Sequence, residues 1–201
     1  MSLAAEINRR EVLRGMAALS LAPLAVSVAR AAAELGVADV TPDIKVVSGG
    51  GGNVVTFSTT AGLVLVDSGS ADAREEVLAK VARIAKEDRK SPNGKVVALV
   101  NTHWHPEQTG ANEALGMQGA TIIAHAKTRQ RLSSGWYVPK EDKSVKALPV
   151  AGRPTKTFHA TDTATFGDQK LEMGYLIEAH TDGDVYVRFP GANVIVAGDA
   201  I

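Results

Sequence analysis

Leu63-Val64-Leu65-Val66 has no polar residue on either face, and a strand of that kind must be covered on both sides. Two more apolar runs follow, Val96 to Val100 and Ala120 to Ala124, the latter with Thr121 as its one polar residue. Residues 72–88 lie between the first two runs. There Val77, Val81 and Ile84 fall at helical spacing, with Arg74, Glu75, Lys80 and Arg83 turned outward. Apolar strands linked through an amphipathic helix predict a layered α/β fold, with helices packed on a buried sheet.

The rest of the chain is organised around that unit. Ile44 to Ser48 and Asn53 to Ser58 are β-branched runs joined by Gly49-Gly50-Gly51-Gly52, which reads as a turn. The four glycines lack the GK[ST] ending of a phosphate loop and are no nucleotide cradle. Ser91-Pro92-Asn93-Gly94 ends the helix. Residues 133–154, with Pro139, Pro149, Pro154 and the charged run Lys140-Glu141-Asp142-Lys143, read as a solvated surface loop, the alternative being a functional lid. The last third is strand pattern over 163–167, 170–177, 184–189 and 193–197. No internal repeat is visible, and residues 40–201 read as one domain.

The first 31 residues stand apart. Arg9-Arg10-Glu11-Val12-Leu13-Arg14 precedes an uncharged run from Gly15 to Ala29 and a small-residue pattern, Ala29-Arg30-Ala31. As a helix that run spans about 22 Å, short of the ~30 Å hydrocarbon core, so no membrane span is expected once it is removed. The segment resembles a twin-arginine export signal, which implies a periplasmic or secreted protein exported already folded; the alternative is an amphipathic N-terminal helix. Composition narrows the chemistry further. There are no cysteines, which excludes disulfides, thiolate metal sites and cysteine nucleophiles. Lys plus Arg and Asp plus Glu both total 22, so no basic excess is available to grip nucleic acid.

Candidate chemistry begins where a buried strand ends, at Asn101-Thr102-His103-Trp104-His105-Pro106-Glu107-Gln108-Thr109-Gly110. His103 and His105, two apart in an extended loop, can aim at one point, and neutral imidazole is a good ligand for zinc or iron. Glu107 follows at the same period and adds an oxygen. His180 opens the turn His180-Thr181-Asp182-Gly183-Asp184, and Asp199 closes the run Val194 to Gly198, so all these residues sit at strand ends and can converge on one sheet edge. His125 and His159 lack such partners and read as structural. Trp104 alternates away from its histidine neighbours and reads as packing, and Thr109 and Thr181 read as turn or cap residues.

Over residues 45–201 the sequence resembles the metallo-β-lactamase fold family. Its motifs occur in order: Asp67 before Ser68-Gly69; His103-Trp104-His105-Pro106-Glu107-Gln108 where the family has HxHxDH; His180-Thr181-Asp182-Gly183; and Gly198-Asp199. The resemblance implies an αββα sandwich, represented here by its N-terminal half and the start of the second half. It implies a first metal site of His103, His105 and His180, with Asp199 shared by a second site. The second site would take Glu107 and the position held by Gln108, plus a histidine well after Asp199. A neutral amide in place of imidazole weakens that second site. The strand at 193–197 is apolar enough to need cover on both faces, from which the chain is expected to be C-terminally incomplete.

The implied activity is that of a metal-dependent hydrolase with one or two zinc ions, acting on a small molecule through its ester, lactone, thioester or amide carbonyl. The metal lowers the pKa of a bound water from 15.7 towards about 7. Glu107 would orient or deprotonate that water or hold a second metal, and Asp199 would bridge or ligate. Asp67 would accept a hydrogen bond from a liganding imidazole and Gln108 would stand beside the centre; the other reading of Asp67 is a turn or helix cap. Two alternatives stay open. One is a mononuclear iron dioxygenase acting on sulfur compounds through His103, His180 and Asp199; the other is a binding protein with a decayed metal site.

Overall fold

The computed structural model describes residues 35–91, 94–138 and 142–201, all within one compact unit spanning 33–201. The export-signal segment, the Pro92-Asn93 pair and Pro139-Lys140-Glu141 lie outside the described residues.

The chain builds a seven-stranded sheet first. Strands β1 (Gly36–Thr41), β2 (Ile44–Gly50), β3 (Gly52–Thr59) and β4 (Gly62–Val66) form an antiparallel meander. Helix α1 (Arg74–Glu87) then crosses over to β5 (Val96–Val100), which pairs parallel with β4 and with β6 (Thr121–His125). Strand β9 (Lys156–Phe158) adds a parallel edge. A second sheet, antiparallel, contains β10 (Thr161–Phe166), β11 (Gln169–Tyr175), β12 (Val185–Phe189) and β13 (Val194–Val196).

The apolar strands behave as their sequence requires. Leu63, Leu65, Leu99 and Ile122 point to one face, where they pack with Val77, Val81 and Ile84 of α1. Val64, Val66, Ala98, Val100 and Ile123 point to the other, against Leu171, Met173, Val185, Val187 and Phe189 of the second sheet. Period-two alternation therefore feeds two cores from one set of strands, each fully buried side chain worth roughly 1.5–3 kcal/mol. The layers run helix, sheet, sheet, which is the α/β sandwich architecture expected.

Several segments depart from the sequence reading. The sheet begins at Gly36 rather than near residue 40, with Leu35 already in the core. The extended loop after β5 lasts only through His105, because Pro106 is well placed to start a helix; α2 (Pro106–Thr109) and α3 (Asn112–Met117) follow. Residues 133–154 are not a bare loop. They hold the end of α4 (Ala126–Ser134), a hairpin of β7 (Trp136–Val138) and β8 (Lys143–Val145), and a 3₁₀ turn at Val150–Gly152. In β13 the inner residues Val194 and Val196 pack against the core while Ile195 is exposed, so among the described residues only one face of that strand is covered.

Candidate metal centre

The C-terminal ends of β4 and β5, the β11–β12 loop and the turn after β13 meet at one edge of the sandwich. Buried polar groups hold them together. Asn101 and Asn112 exchange amide hydrogen bonds of 3.1 and 2.8 Å, and Ser68 Oγ donates to Asn112 Oδ1 at 2.9 Å, joining β4, β5 and α3. The amide of Val185 donates to the Thr102 carbonyl at 2.8 Å and ties the second sheet to the histidine loop.

That scaffold gathers His103, His105 and His180. One nitrogen of each lies within 4.8 Å of the others. His105 Nδ1 and His180 Nε2 are 3.1 Å apart, and the ring centroids of all three pairs fall between 4.8 and 5.1 Å. Tetrahedral zinc with Zn–N of 2.0–2.1 Å needs nitrogens about 3.3 Å apart, so the spread is one that a small closure would satisfy. The fit is tested by His103 Nε2, which is buried, faces the cluster and has no hydrogen-bond partner. Burial holds His103 down to about 4, the neighbouring His105 adding to the effect, and burial also lowers His105. Both rings are therefore neutral near pH 7, as ligation requires.

The tautomer of His103 is set from behind. Thr102 donates to Asp67 twice, from its backbone N–H to Oδ1 at 2.8 Å and from its hydroxyl to Oδ2 at 2.7 Å. With its proton so committed, the Thr102 oxygen accepts from His103 Nδ1–H at 3.0 Å, which leaves the Nε2 lone pair facing the cluster. Asp67 thus acts through Thr102, where direct contact with an imidazole was expected. It sits at φ 60°, a conformation that aspartate tolerates, and burial pushes its carboxyl up to about 7 against the two Thr102 hydrogen bonds. Gly198, at φ 57°, lies so close that a Cβ there would collide with Thr102 Oγ1.

Two carboxylates and an amide complete the surroundings. Asp199 Oδ2 lies 3.7 Å from His103 Nε2 and 3.9 Å from His180 Nε2. Glu107 Oε1 lies 3.7 Å from His105 Nδ1. Gln108 is buried on α2 and donates from Nε2 to Asp199 Oδ1 at 3.0 Å. All seven residues singled out in the sequence are therefore near one centre. His125 is elsewhere, stacked on Tyr175 with centroids 4.1 Å apart, and exposed His159 lies beside it.

Trp104 does more than the sequence indicated. Its ring meets the His105 edge at 4.4 Å, and its indole N–H donates to Asp182 Oδ1 at 2.8 Å. Arg131 grips the other Asp182 oxygen at 2.8 Å. This links the loop carrying His103 and His105 to the loop carrying His180, across 78 residues that no local pattern could connect. Asp184, which is buried, shapes the latter loop by accepting from the backbone amides of His180 and Thr181 and from the Thr181 hydroxyl. Thr102 did carry a signal, a hydroxyl directly before the first histidine. Thr109 and Thr181 bond within their own turns.

The sequence profile of the metallo-beta-lactamase superfamily matches residues 47–201. Among solved structures, a subclass B3 metallo-beta-lactamase of Bradyrhizobium japonicum aligns with TM-score 0.63 and 19% identity, over 79% of this chain and 58% of that one. A metallo-beta-lactamase of Cronobacter sakazakii with a HARLDQ motif gives 0.67 and 17%, over 83% and 63%. A B3 enzyme described as the first with an active-site glutamic acid gives 0.63 and 20%, over 83% and 62%. The chain thus spans about three-fifths of the length of these proteins, and the likeness is one of fold.

Proposed function

The chain belongs to the metallo-beta-lactamase superfamily, and from that premise we propose that it is an exported metal-dependent hydrolase of small molecules carrying an ester, lactone, thioester or amide carbonyl. The observation that carries the reading is the trio of imidazole nitrogens with the partnerless His103 Nε2 turned into their midst. Export follows from the twin-arginine pattern at Arg9-Arg10. No helix among the described residues is long and apolar enough to cross a membrane.

His103, His105 and His180 would hold the ion, with Asp199 Oδ2 the nearest carboxylate oxygen. A divalent ion there, zinc by the chemistry of the donor set, supplies a Lewis acid that acidifies water and polarises a carbonyl. The protein's own groups do the rest. Glu107, partly exposed beside His105, is placed to take a proton from the attacking water and return it to the leaving group. Asp67 and Thr102 keep the His103 lone pair inward. Trp104 packs its ring against His105, with Trp136 behind it at a centroid distance of 4.6 Å. The B3 lactamases among the similar folds support hydrolysis.

The iron dioxygenase alternative needs only His103, His180 and Asp199. His105 Nδ1, 3.1 Å from His180 Nε2, speaks against leaving the third imidazole unused. The test is metal analysis of the purified chain with turnover of a panel of esters, lactones, thioesters and β-lactams. Bound zinc, with hydrolysis lost in His105→Ala, supports the proposal. One iron with oxygen uptake, or no metal and no effect of His105→Ala, overturns it.

A further inference from the structure

Gln108 divides the site in two, and its amide has a direction. Its Nε2 donates to Asp199 Oδ1 at 3.0 Å, while Asp199 Oδ2 faces His103 and His180. A reversed amide would set its oxygen against a carboxylate oxygen, a repulsive pairing, so the N–H side faces Asp199. The amide oxygen, the one atom of this side chain able to ligate a cation, is buried without a partner and points at Gly52, where a Cβ would collide with it. Among the described residues, what remains for a second cation is Glu107, together with an Asp199 oxygen already facing the positive end of an amide dipole.

Resting on the hydrolase reading above, we propose that the Gln108 amide stands in for a second cation, so that the centre binds one metal ion per chain. Gln108 is a positioning residue in this arrangement. Its N–H offsets part of the Asp199 charge and fixes the carboxylate so that Oδ2 is presented to His103 and His180. A cation placed at Oδ1 would meet an N–H dipole pointing towards it and would find one free carboxylate, Glu107, against three nitrogens and an oxygen at the first position. Charge and donor count both favour single occupancy.

The test is stoichiometry. The full chain is stripped of metal, titrated with zinc, and counted by native mass spectrometry; cobalt(II) absorption provides an independent count. The wild type should saturate at one ion per chain even in tenfold excess of zinc. Gln108→Leu removes the N–H at similar volume; it should still bind one ion, about 10–100-fold more weakly, as is typical when a ligand loses its supporting hydrogen bond. Gln108→Glu places a second carboxylate against Asp199 and should gain a second ion. Two ions per wild-type chain, or wild-type affinity in a folded Gln108→Leu, overturns the inference and leaves the hydrolase reading standing. A wild type that binds no metal overturns both.

Discussion

Asp67→Asn separates the two roles that burial gives this side chain. An asparagine in the same rotamer keeps an oxygen for the Thr102 backbone N–H but turns an NH₂ towards the Thr102 hydroxyl, which now accepts. The hydroxyl proton must then go to His103 Nδ1, 3.0 Å away, and the imidazole carries its own proton on Nε2, the atom facing the cluster. Binding an ion would require undoing that chain of donors. The expected loss is about 10–100-fold in zinc affinity, or roughly 1.4–2.8 kcal/mol, measured by competition with a chromophoric chelator. Thr102→Val should cost a comparable amount, and the double variant should lose less than the product of the two single losses, since both act on the same proton. Stability moves the other way. With a folded pKa near 7 against 3.8 unfolded, Asp67's own contribution to the stability of the metal-free chain is fully present below pH 4 and is lost as pH rises from there through 7, by about 4 kcal/mol in all. Asp67→Asn should flatten that part of the pH–stability curve. A folded Asp67→Asn with wild-type zinc affinity would refute the tautomer argument, and an unchanged pH–stability curve would refute the buried charge.

Other perturbations follow from the same geometry. Gly198→Ala forces a Cβ into Thr102 Oγ1 at a positive φ, and should lower both thermal stability and zinc affinity, readable by melting curves with and without metal. Trp104→Phe keeps the ring on His105 but drops the bond to Asp182, and is expected to cost about 0.5–1.5 kcal/mol of stability by chemical denaturation. Leu99→Ala, in the middle of the buried sheet, should cost about 2–5 kcal/mol without changing the number of ions bound.

The parts of this molecule legible in the sequence are those where one residue's neighbours along the chain determine its surroundings. The apolar runs at 63–66 and 96–100 could only be covered strands, and α1 showed its face through Val77, Val81 and Ile84. Short elements were not legible. Strand β1 is exposed along nearly all its length and so has no buried alternation to read, and α4 buries only Thr128 and Leu132. The histidines were visible because HxH at a strand end is a local pattern. Asp67 and Gln108 could be placed beside them only through the family resemblance, and the contacts themselves were not legible because they cross the chain: Asp67 to Thr102, Trp104 to Asp182 and Gln108 to Asp199 each join segments that are adjacent only after both sheets have formed.

The central claim is that three imidazoles surround one cation. X-ray absorption at the zinc edge of the loaded chain tests it most directly. The account predicts three imidazole nitrogens at about 2.0–2.1 Å, and loss of high-affinity zinc on replacing any one of His103, His105 or His180 with alanine. A first shell of oxygens alone, or an unchanged spectrum in His180→Ala, would contradict it.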